Sequence, residues 1–213
     1  MSAGTLITIE GLDGAGKSTL AASLQRELAA GTRPVELLRE PGGVDVSERI
    51  RSLVKDPSLH MHPRTEALLY AAARAQLVEQ RLRPLLDAGT VVLLDRFVDS
   101  SLAYQGAGRA LGVQQVRELN LFATGGLTPD RTLLLRLSPA HSRSRRGGRQ
   151  QGPDRLEREG EDFFDAIAHA YQQIAEDEPA RVRIIDASQS PPQVLAAALA
   201  ALDGLGLGTR QPH

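Results

Sequence analysis

The chain has 213 residues, enough for one domain with a full hydrophobic core. Its 25 Lys and Arg residues nearly balance its 26 Asp and Glu residues, so the net charge of -1 gives no indication of binding to nucleic acid or to an acidic membrane. The absence of cysteine excludes disulfides, thiolate catalysis and cysteine-ligated metals.

The sequence carries no recognisable targeting segment. Its first predicted strand begins within a few residues of the N-terminus, without a basic and apolar leader. No apolar run approaches the length of a membrane span. We therefore expect a cytoplasmic protein with neither membrane nor nucleic acid among its partners.

Short runs rich in Val, Ile and Leu alternate with helical patterns along the chain and predict strands. They cover residues 5–10, 35–39, 90–95, 131–137 and 182–186. Strands that alternate with helices usually form a parallel sheet covered on both faces. We therefore expect a three-layer α/β fold with a parallel five-stranded sheet, whose strands end at one crevice.

The first predicted strand enters a glycine-rich turn that opens a helix. Residues 11–18 match the phosphate-loop pattern G-x-x-x-x-G-K-[ST], which in this context predicts a phosphate-loop NTPase fold and ATP or GTP binding. Lys17 would reach the β- and γ-phosphates, and the Ser18 hydroxyl would bind Mg²⁺. The predicted ATP-binding residues of the loop are Gly11, Leu12, Asp13, Gly14, Ala15, Gly16, Lys17, Ser18 and Thr19.

Two later strand ends carry charged residues. The second strand ends at Arg39, and Pro41 with paired glycines predicts a tight turn that presents Arg39 to the crevice. The third strand ends in Asp95 and Arg96. Asp95 can hold Mg²⁺ through water, while Arg96 can bind a second anion with two parallel hydrogen bonds. Two anion sites in one crevice predict transfer from one phosphate to another.

Residues 63–88 show a long helical pattern interrupted by Pro84. Much of it should be core, and a helix of this length could also pair with its copy in a second subunit. Tyr70 and Arg74 lie one turn apart on it, and Ser101, Tyr104 and Gln105 follow the third strand. A ring to stack on, an amide and an arginine are what a pyrimidine pocket needs.

Between residues 138 and 160 the chain becomes rich in arginine and glycine and poor in apolar residues. Such a segment packs poorly, so we expect a mobile lid over residues 142–160 that closes on polyphosphate. The simpler alternative is a solvated basic loop. Residues 1–204 are predicted to form one kinase domain and residues 205–213 a flexible tail.

Taken together, these motifs resemble bacterial thymidylate kinases over most of the chain. The resemblance includes I-E-G-L-D-G-A-G-K-S-T at residues 9–19, R-E-P-G-G at 39–43, L-L-Y-A-A-A-R-A-Q-L at 68–77, D-R at 95–96 and S-S-L-A-Y-Q-G-A-G-R at 100–109. It implies a homodimeric, Mg²⁺-dependent nucleoside monophosphate kinase that converts ATP and dTMP into ADP and dTDP, on the route to dTTP.

The resemblance also implies roles for single residues. For the acceptor, Asp13 would lie near the deoxyribose 3′-hydroxyl, Arg39 and Arg96 would hold the dTMP phosphate, and Asp95 would organise the metal. Thymine would stack on Tyr70, and Tyr104 would crowd the 2′ position. The base or its sugar would be contacted by Arg74, Ser101 and Gln105.

In the bacterial members a lid arginine is catalytic. Arg143, Arg145, Arg146, Arg149 and Arg155 surround the lid, and the resemblance assigns Arg145 to adenine and Arg149 to the transferring phosphoryl group. Two rival functions remain open at this point. One is another nucleotide or deoxynucleoside kinase, and the other is a regulatory or partition protein that hydrolyses ATP slowly.

Overall fold

The computed structural model describes residues 4–146 and 155–207, with the backbone alone at residue 146. Within them, one parallel five-stranded sheet has the strand order β2-β3-β1-β4-β5. The strands are β1 (Thr5–Gly11), β2 (Val35–Arg39), β3 (Val91–Asp95), β4 (Arg131–Arg136) and β5 (Val182–Asp186). The predicted fold class is therefore confirmed, and the strand limits differ from the predicted ones by about one residue.

Helices cover both faces of the sheet. The α-helices are α1 (Lys17–Leu28), α2 (Asp45–Lys55), α3 (Pro63–Leu77), α4 (Arg83–Asp87), α5 (Val98–Ser101), α6 (Val113–Thr124), α7 (Pro139–Arg146), α8 (Glu161–Asp177) and α9 (Pro191–Ala201). A π-helical segment, Leu102–Gly108, continues α5. The lid prediction overlaps α7 and the segment before α8. Residues 147–154, and Arg149 among them, lie outside the described part of the chain.

Alternating side chains of the buried strands divide the core between the two faces. In β1, Ile7 and Ile9 pack with α1 and α9, whereas Leu6 packs with α3 and the turn that follows it. In β4, Leu134 faces α8. These strands are apolar on both faces because helices cover both sides, as in other parallel sheets.

The long helix predicted over residues 63–88 contains a π-helical turn that the sequence did not reveal. Between α3 and α4, Val78–Leu82 is π-helical, and the Arg83 N–H bonds the Val78 carbonyl five residues back. Pro84 then lies in the first turn of α4, where its missing N–H is tolerated. The helical path therefore continues through Pro84 to Asp87.

Leu207 is buried against the core on the α1 and α9 side, although the predicted tail begins at residue 205. Residues 208–213 lie outside the described part, so the limits of the kinase domain and of the tail remain predictions. Over the residues that the structure describes, no helix combines the length and the apolar character that crossing a membrane requires.

Candidate active site

The phosphate loop joins the central strand β1 to α1. Gly16 caps α1 with φ 94°, a conformation that costs little only for glycine. A side chain on Gly11 would meet the Leu135 carbonyl oxygen of β4 at 2.5 Å. The two fixed glycines of the motif are therefore needed for a turn and for a close approach between strands.

Lys17 folds back onto this loop. Its Nζ donates to the carbonyl oxygens of Gly11 and Leu12 at 3.1 and 2.9 Å and lies 3.8 Å from the Asp13 carboxylate. Burial, and next the nearby charge of Arg96, lower the pKa of Lys17 to about 8, although Asp13 acts in the opposite direction. The lysine thus lies at the loop with a proton that it holds weakly.

The predicted metal ligands are neighbours in the structure. The Ser18 hydroxyl donates to the Asp95 carboxylate at 2.9 Å, because α1 begins beside the carboxyl end of β3. Within residues 4–146 and 155–207, no cluster of three or more His, Cys, Asp or Glu side chains could hold a metal. One hydroxyl and one carboxylate beside a phosphate loop fit Mg²⁺, which usually keeps several waters and substrate oxygens as ligands.

Arg96 crosses the cleft from the end of β3 toward the loop. Its φ of 72° is unusual for a residue with a side chain, and such strain is common at functional sites. Its guanidinium lies 2.7 Å from Asp13 and 5.0 Å from the centre of the Tyr104 ring. Burial alone would raise the pKa of Asp13, but the charges of Arg96 and Lys17 hold that pKa well below its usual range.

A buried polar network holds Arg96 from behind, and the sequence analysis missed it. Arg96 donates to the Ser100 hydroxyl at 2.9 Å, which in turn donates to Glu10 at 2.5 Å. Glu10 also accepts from the Phe97 N–H and the Tyr171 hydroxyl. Burial, followed by the charge of Asp99, raises the pKa of Glu10. The available signal was Glu10 itself, a charged residue within the otherwise uncharged strand β1.

The end of β2 forms the opposite wall. Arg39 is 56% exposed and pairs with Glu48 of α2 at 3.0 Å. The Glu40–Pro41 peptide bond is cis. Glu40 is buried, and its Oε2 lies 2.6 Å from Arg74 while its Oε1 has no hydrogen-bond partner within the described residues. Burial raises the pKa of Glu40 to about 7 even though Arg74 opposes the shift.

Arg74 is also buried, and each of its three guanidinium nitrogens donates a hydrogen bond. Besides Glu40, it donates to the Ser101 hydroxyl at 2.9 Å, to the Phe97 carbonyl at 2.9 Å and to the Asn120 side chain. It also lies 5.4 Å above the Phe97 ring. This packing fixes Arg74 as part of the cleft wall.

The predicted acceptor residues surround one cleft of roughly 400 Å³. All eight line it: Asp13, Arg39, Tyr70, Arg74, Arg96, Ser101, Tyr104 and Gln105. Lys17, Ser18 and Asp95 line the same cleft. The structure adds Glu40, Arg51, Lys55 and Ser100, which the sequence analysis had not assigned. Arg51 and Lys55 lie four residues apart on α2, and this helical spacing after the R-E-P-G-G turn could have identified them.

A second cavity, of about 350 Å³, lies on the other side of the phosphate loop. Gly14, Gly16 and Thr19 line both cavities, and Ala15 lines the second. Arg145 also lines the second, where its Nη1 donates to the Ala187 carbonyl at 3.0 Å. Gly11 and Leu12 line a separate hollow next to β4. The loop therefore separates two cavities that could hold two ligands.

A parallel sheet in this strand order, with a phosphate loop after its central strand and a cationic cleft beside it, defines a phosphate-loop NTPase fold suited to phosphoryl transfer. Comparisons with known proteins narrow this class. The family model for thymidylate kinase matches residues 9–198. The chain therefore belongs to the thymidylate kinase family.

Individual relatives agree with the family model. The chain is 47% identical to a thymidylate kinase of Leifsonia xyli, with 94% of this chain and 95% of the relative covered. It is 44% identical to one of Deinococcus radiodurans, with 97% and 100% covered. A crystal structure of thymidylate kinase from Ehrlichia chaffeensis matches with a TM-score of 0.77 at 25% identity, covering 95% of this chain and all of that one. The predicted family and enzyme class are confirmed.

Proposed function

We propose that the protein transfers the γ-phosphoryl group of ATP to dTMP, giving ADP and dTDP, with Mg²⁺ bound at Ser18 and Asp95. The observation that carries the proposal is the pair of cavities that share the phosphate loop. A donor and an acceptor bound on opposite sides of this loop would bring their phosphates together at Lys17. Such positioning accounts for most of the catalysis in phosphoryl transfer.

The second cavity is proposed to hold the nucleoside of ATP. Its wall contains apolar Leu20, Val194 and Leu195 beside polar Gln189 and Arg145. Arg145 is tethered to the chain after β5 by its bond to the Ala187 carbonyl, which would place its guanidinium beside the adenine ring. The triphosphate would then follow the loop N–H groups at the positive end of α1.

The cationic cleft is proposed to hold dTMP. Arg39 and Arg96 face the cleft from neighbouring strands, so both could contact one phosphate. Asp13 and Tyr104, already linked through Arg96, would then lie near the sugar. The base would stack on Tyr70, which is half-buried at the cleft wall.

The base would also meet Arg74, Ser101 and Gln105. Arg74 holds the Ser101 hydroxyl at 2.9 Å, and both side chains line the cleft. A direct contact between Arg74 and the base would replace one of its present hydrogen bonds. Because these three side chains are nearly inaccessible to solvent, an unmatched polar edge of a base would be costly there.

The transfer itself requires charge neutralisation more than proton transfer. The attacking oxygen belongs to an anionic phosphate, so no general base is needed. Lys17 and Arg96 would neutralise charge on the oxygens that flank the transferring group. Bound Mg²⁺ would add Lewis-acid stabilisation of the donor phosphates. Arg149 is proposed to reach the transferring group from the lid, where such an arginine typically contributes about a thousandfold or more in rate.

The protein is also proposed to act as a homodimer. Leu68 of α3 and Leu121 and Phe122 of α6 are 58%, 62% and 89% exposed, and α3 packs against α6. Large apolar side chains exposed on adjacent helices are typical of surfaces that another chain covers.

An acceptor panel tests the proposed reaction. The protein would be assayed with ATP and Mg²⁺ against dTMP, dUMP, dCMP and thymidine, with the products separated by chromatography. We expect the highest kcat/KM for dTMP and the appearance of dTDP. Preference for thymidine would contradict a monophosphate acceptor, and preference for dCMP would contradict the base assignment. ATP hydrolysis indifferent to every acceptor would indicate a regulatory ATPase instead.

A further inference from the structure

Glu66 of α3 is a completely buried carboxylate that does not line the cleft, yet it contacts a side chain that does. Its Oε1 accepts from Nε2 of Gln105 at 2.8 Å. We propose that Glu66 determines base specificity by fixing the orientation of the Gln105 amide. The inference rests on the proposed function, because it takes Gln105 to face the acceptor base.

Two arginines form ion pairs with Glu66 in this position. Arg155 Nη1 lies 2.5 Å and Arg109 Nη2 3.2 Å from its Oε2. An ionised carboxylate accepts hydrogen bonds and donates none. Glu66 must therefore meet the NH₂ group of Gln105, because the opposite orientation would bring the amide oxygen against the carboxylate.

The fixed amide presents its oxygen to the cleft. Gln105 is only 2% exposed, and because its Nε2 donates to Glu66, its Oε1 is the end of the amide left to meet a ligand. A glutamine that could rotate freely would offer either a donor or an acceptor to a ligand. Held by Glu66, Gln105 offers a carbonyl oxygen at the position where it lines the cleft.

That carbonyl distinguishes one class of pyrimidine from another. Thymine and uracil carry a hydrogen-bond donor at ring atom N3, whereas cytosine carries an acceptor there. An oxygen facing N3 would bond the first two bases and repel the third. A site that leaves a buried polar group unmatched discriminates strongly, far more than a site that senses one methyl group.

Replacing Glu66 by glutamine should turn the amide around. In Glu66→Gln, the close contacts of Arg155 and Arg109 Nη2 still require an acceptor at the Oε2 position, so the new amide oxygen would stay there. Its NH₂ group would take the Oε1 position, which faces Gln105 at 2.8 Å and meets Arg109 Nε only at 3.3 Å. Gln105 would then direct its oxygen toward residue 66 and its NH₂ group toward the cleft. The acceptor edge of cytosine would now be matched, and the donor edge of thymine would not.

The test compares kcat/KM for dTMP, dUMP and dCMP in the wild type and in Glu66→Gln. We expect kcat/KM for dTMP and dUMP to fall together by about tenfold or more, mainly through KM, while that for dCMP is unchanged or rises. The ratio of dTMP to dUMP should stay constant, because these bases present the same N3 edge. Equal losses for all three acceptors would overturn the proposal.

Arg109→Gln is the matched control. It removes one partner of the Glu66 carboxylate but leaves Arg155 and the bond to Gln105. We expect a lower Tm with the ratio of dTMP to dCMP within about twofold of the wild type. A fall in that ratio as large as in Glu66→Gln would overturn the proposal, because the change in specificity would then come from a general loss of packing around the site.

Glu66→Asp covers the case in which the glutamine variant does not fold. It keeps the negative charge for both arginines but withdraws the carboxylate from Gln105 by about 1.5 Å, one carbon–carbon bond. A ratio of dTMP to dCMP lowered severalfold is expected, and an unchanged ratio would overturn the proposal. A wild-type protein without dTMP kinase activity would refute the proposed function itself, which separates the two failures.

Discussion

Lys17 shows how a single residue is prepared for an anionic ligand. Its ammonium group is buried and donates to two loop carbonyls. Burial disfavours the charged form of a lysine, which is why its pKa falls to about 8. A polyphosphate bound at the loop would supply the missing negative charge.

We predict that ATP binding takes up a proton at Lys17 at pH 8.5. Without ligand a group of pKa about 8 is mostly neutral at that pH. Phosphate charges beside it would raise the pKa, so about 0.7 proton per site should be bound with the nucleotide. Calorimetry at pH 8.5, in buffers of different ionisation enthalpy, measures this uptake.

The sign and the source of the proton are both open to test. At pH 6.5 Lys17 is already protonated and should take up almost no proton when ATP binds. The terminal phosphate of ATP also titrates near that pH, so proton uptake by Lys17 is measured at pH 8.5. Lys17→Arg is the control, since arginine stays charged at both values of pH. Uptake at pH 8.5 that persists in Lys17→Arg would contradict the assignment.

At the scale of the elements, the site follows from where parallel strands end. The cleft-lining residues after β1, β2 and β3 could be predicted from sequence because each follows an apolar run directly. The partners of those residues could not. Arg39 pairs with Glu48. Arg74 contacts Glu40, which lies 34 residues earlier in the chain, and Asn120, which lies 46 residues later. Such pairings depend on how α2, α3 and α6 pack, which no local pattern specifies.

The π-helical turn Val78–Leu82 escaped prediction for a related reason. Its leucine and valine spacing resembles that of an α-helix, and the wider turn is defined by backbone bonds that a sequence pattern does not display. Glu66 escaped because a glutamate in a helix is usually a surface residue, and only the fold reveals that two arginines enclose it.

The lid and the cleft wall should contribute at different steps. We predict that Arg149→Ala lowers kcat by about a thousandfold and changes KM for dTMP by less than about threefold, because this arginine would act on the transferring group alone. Arg96→Ala should lower kcat and raise KM for dTMP by about tenfold or more, because Arg96 would bind the acceptor phosphate throughout. Steady-state kinetics with dTMP varied at saturating ATP distinguish the two patterns.

Arg143→Ala provides the control for the lid. Arg143 lies in α7, is 43% exposed and pairs with Glu161 at 2.8 Å, so its loss should change both constants by less than about twofold. Small and equal effects of Arg149→Ala and Arg96→Ala would contradict the division of roles. A loss in Arg143→Ala comparable with that in Arg149→Ala would show that α7 as a whole, and not one arginine, is needed.

On the scale of the whole molecule, the apolar side chains that remain outside the core are as informative as those inside it. The two faces of the sheet are covered by helices, and the cleft opens at the strand ends. Leu68, Leu121 and Phe122 belong to neither region, since they stay exposed on α3 and α6, which pack against each other. Burying them against a second copy would bring the α3 helices, which carry Tyr70, Arg74 and Glu66, close to the subunit interface.

We predict that the wild-type protein has a solution mass near twice 22.9 kDa, and that Phe122→Glu shifts it toward 22.9 kDa. A buried charge on each subunit would be costly at the two-fold axis, where each substitution meets its own copy or an apolar neighbour. Light scattering after size-exclusion chromatography measures the mass, and Ile184→Glu is the control, because Ile184 is a partly exposed apolar residue of the edge strand β5.

Because α3 forms one wall of the cleft, the monomeric variant should also lose activity at concentrations where the control stays active. A monomeric wild type, or the same shift in both variants, would contradict assembly through α3 and α6.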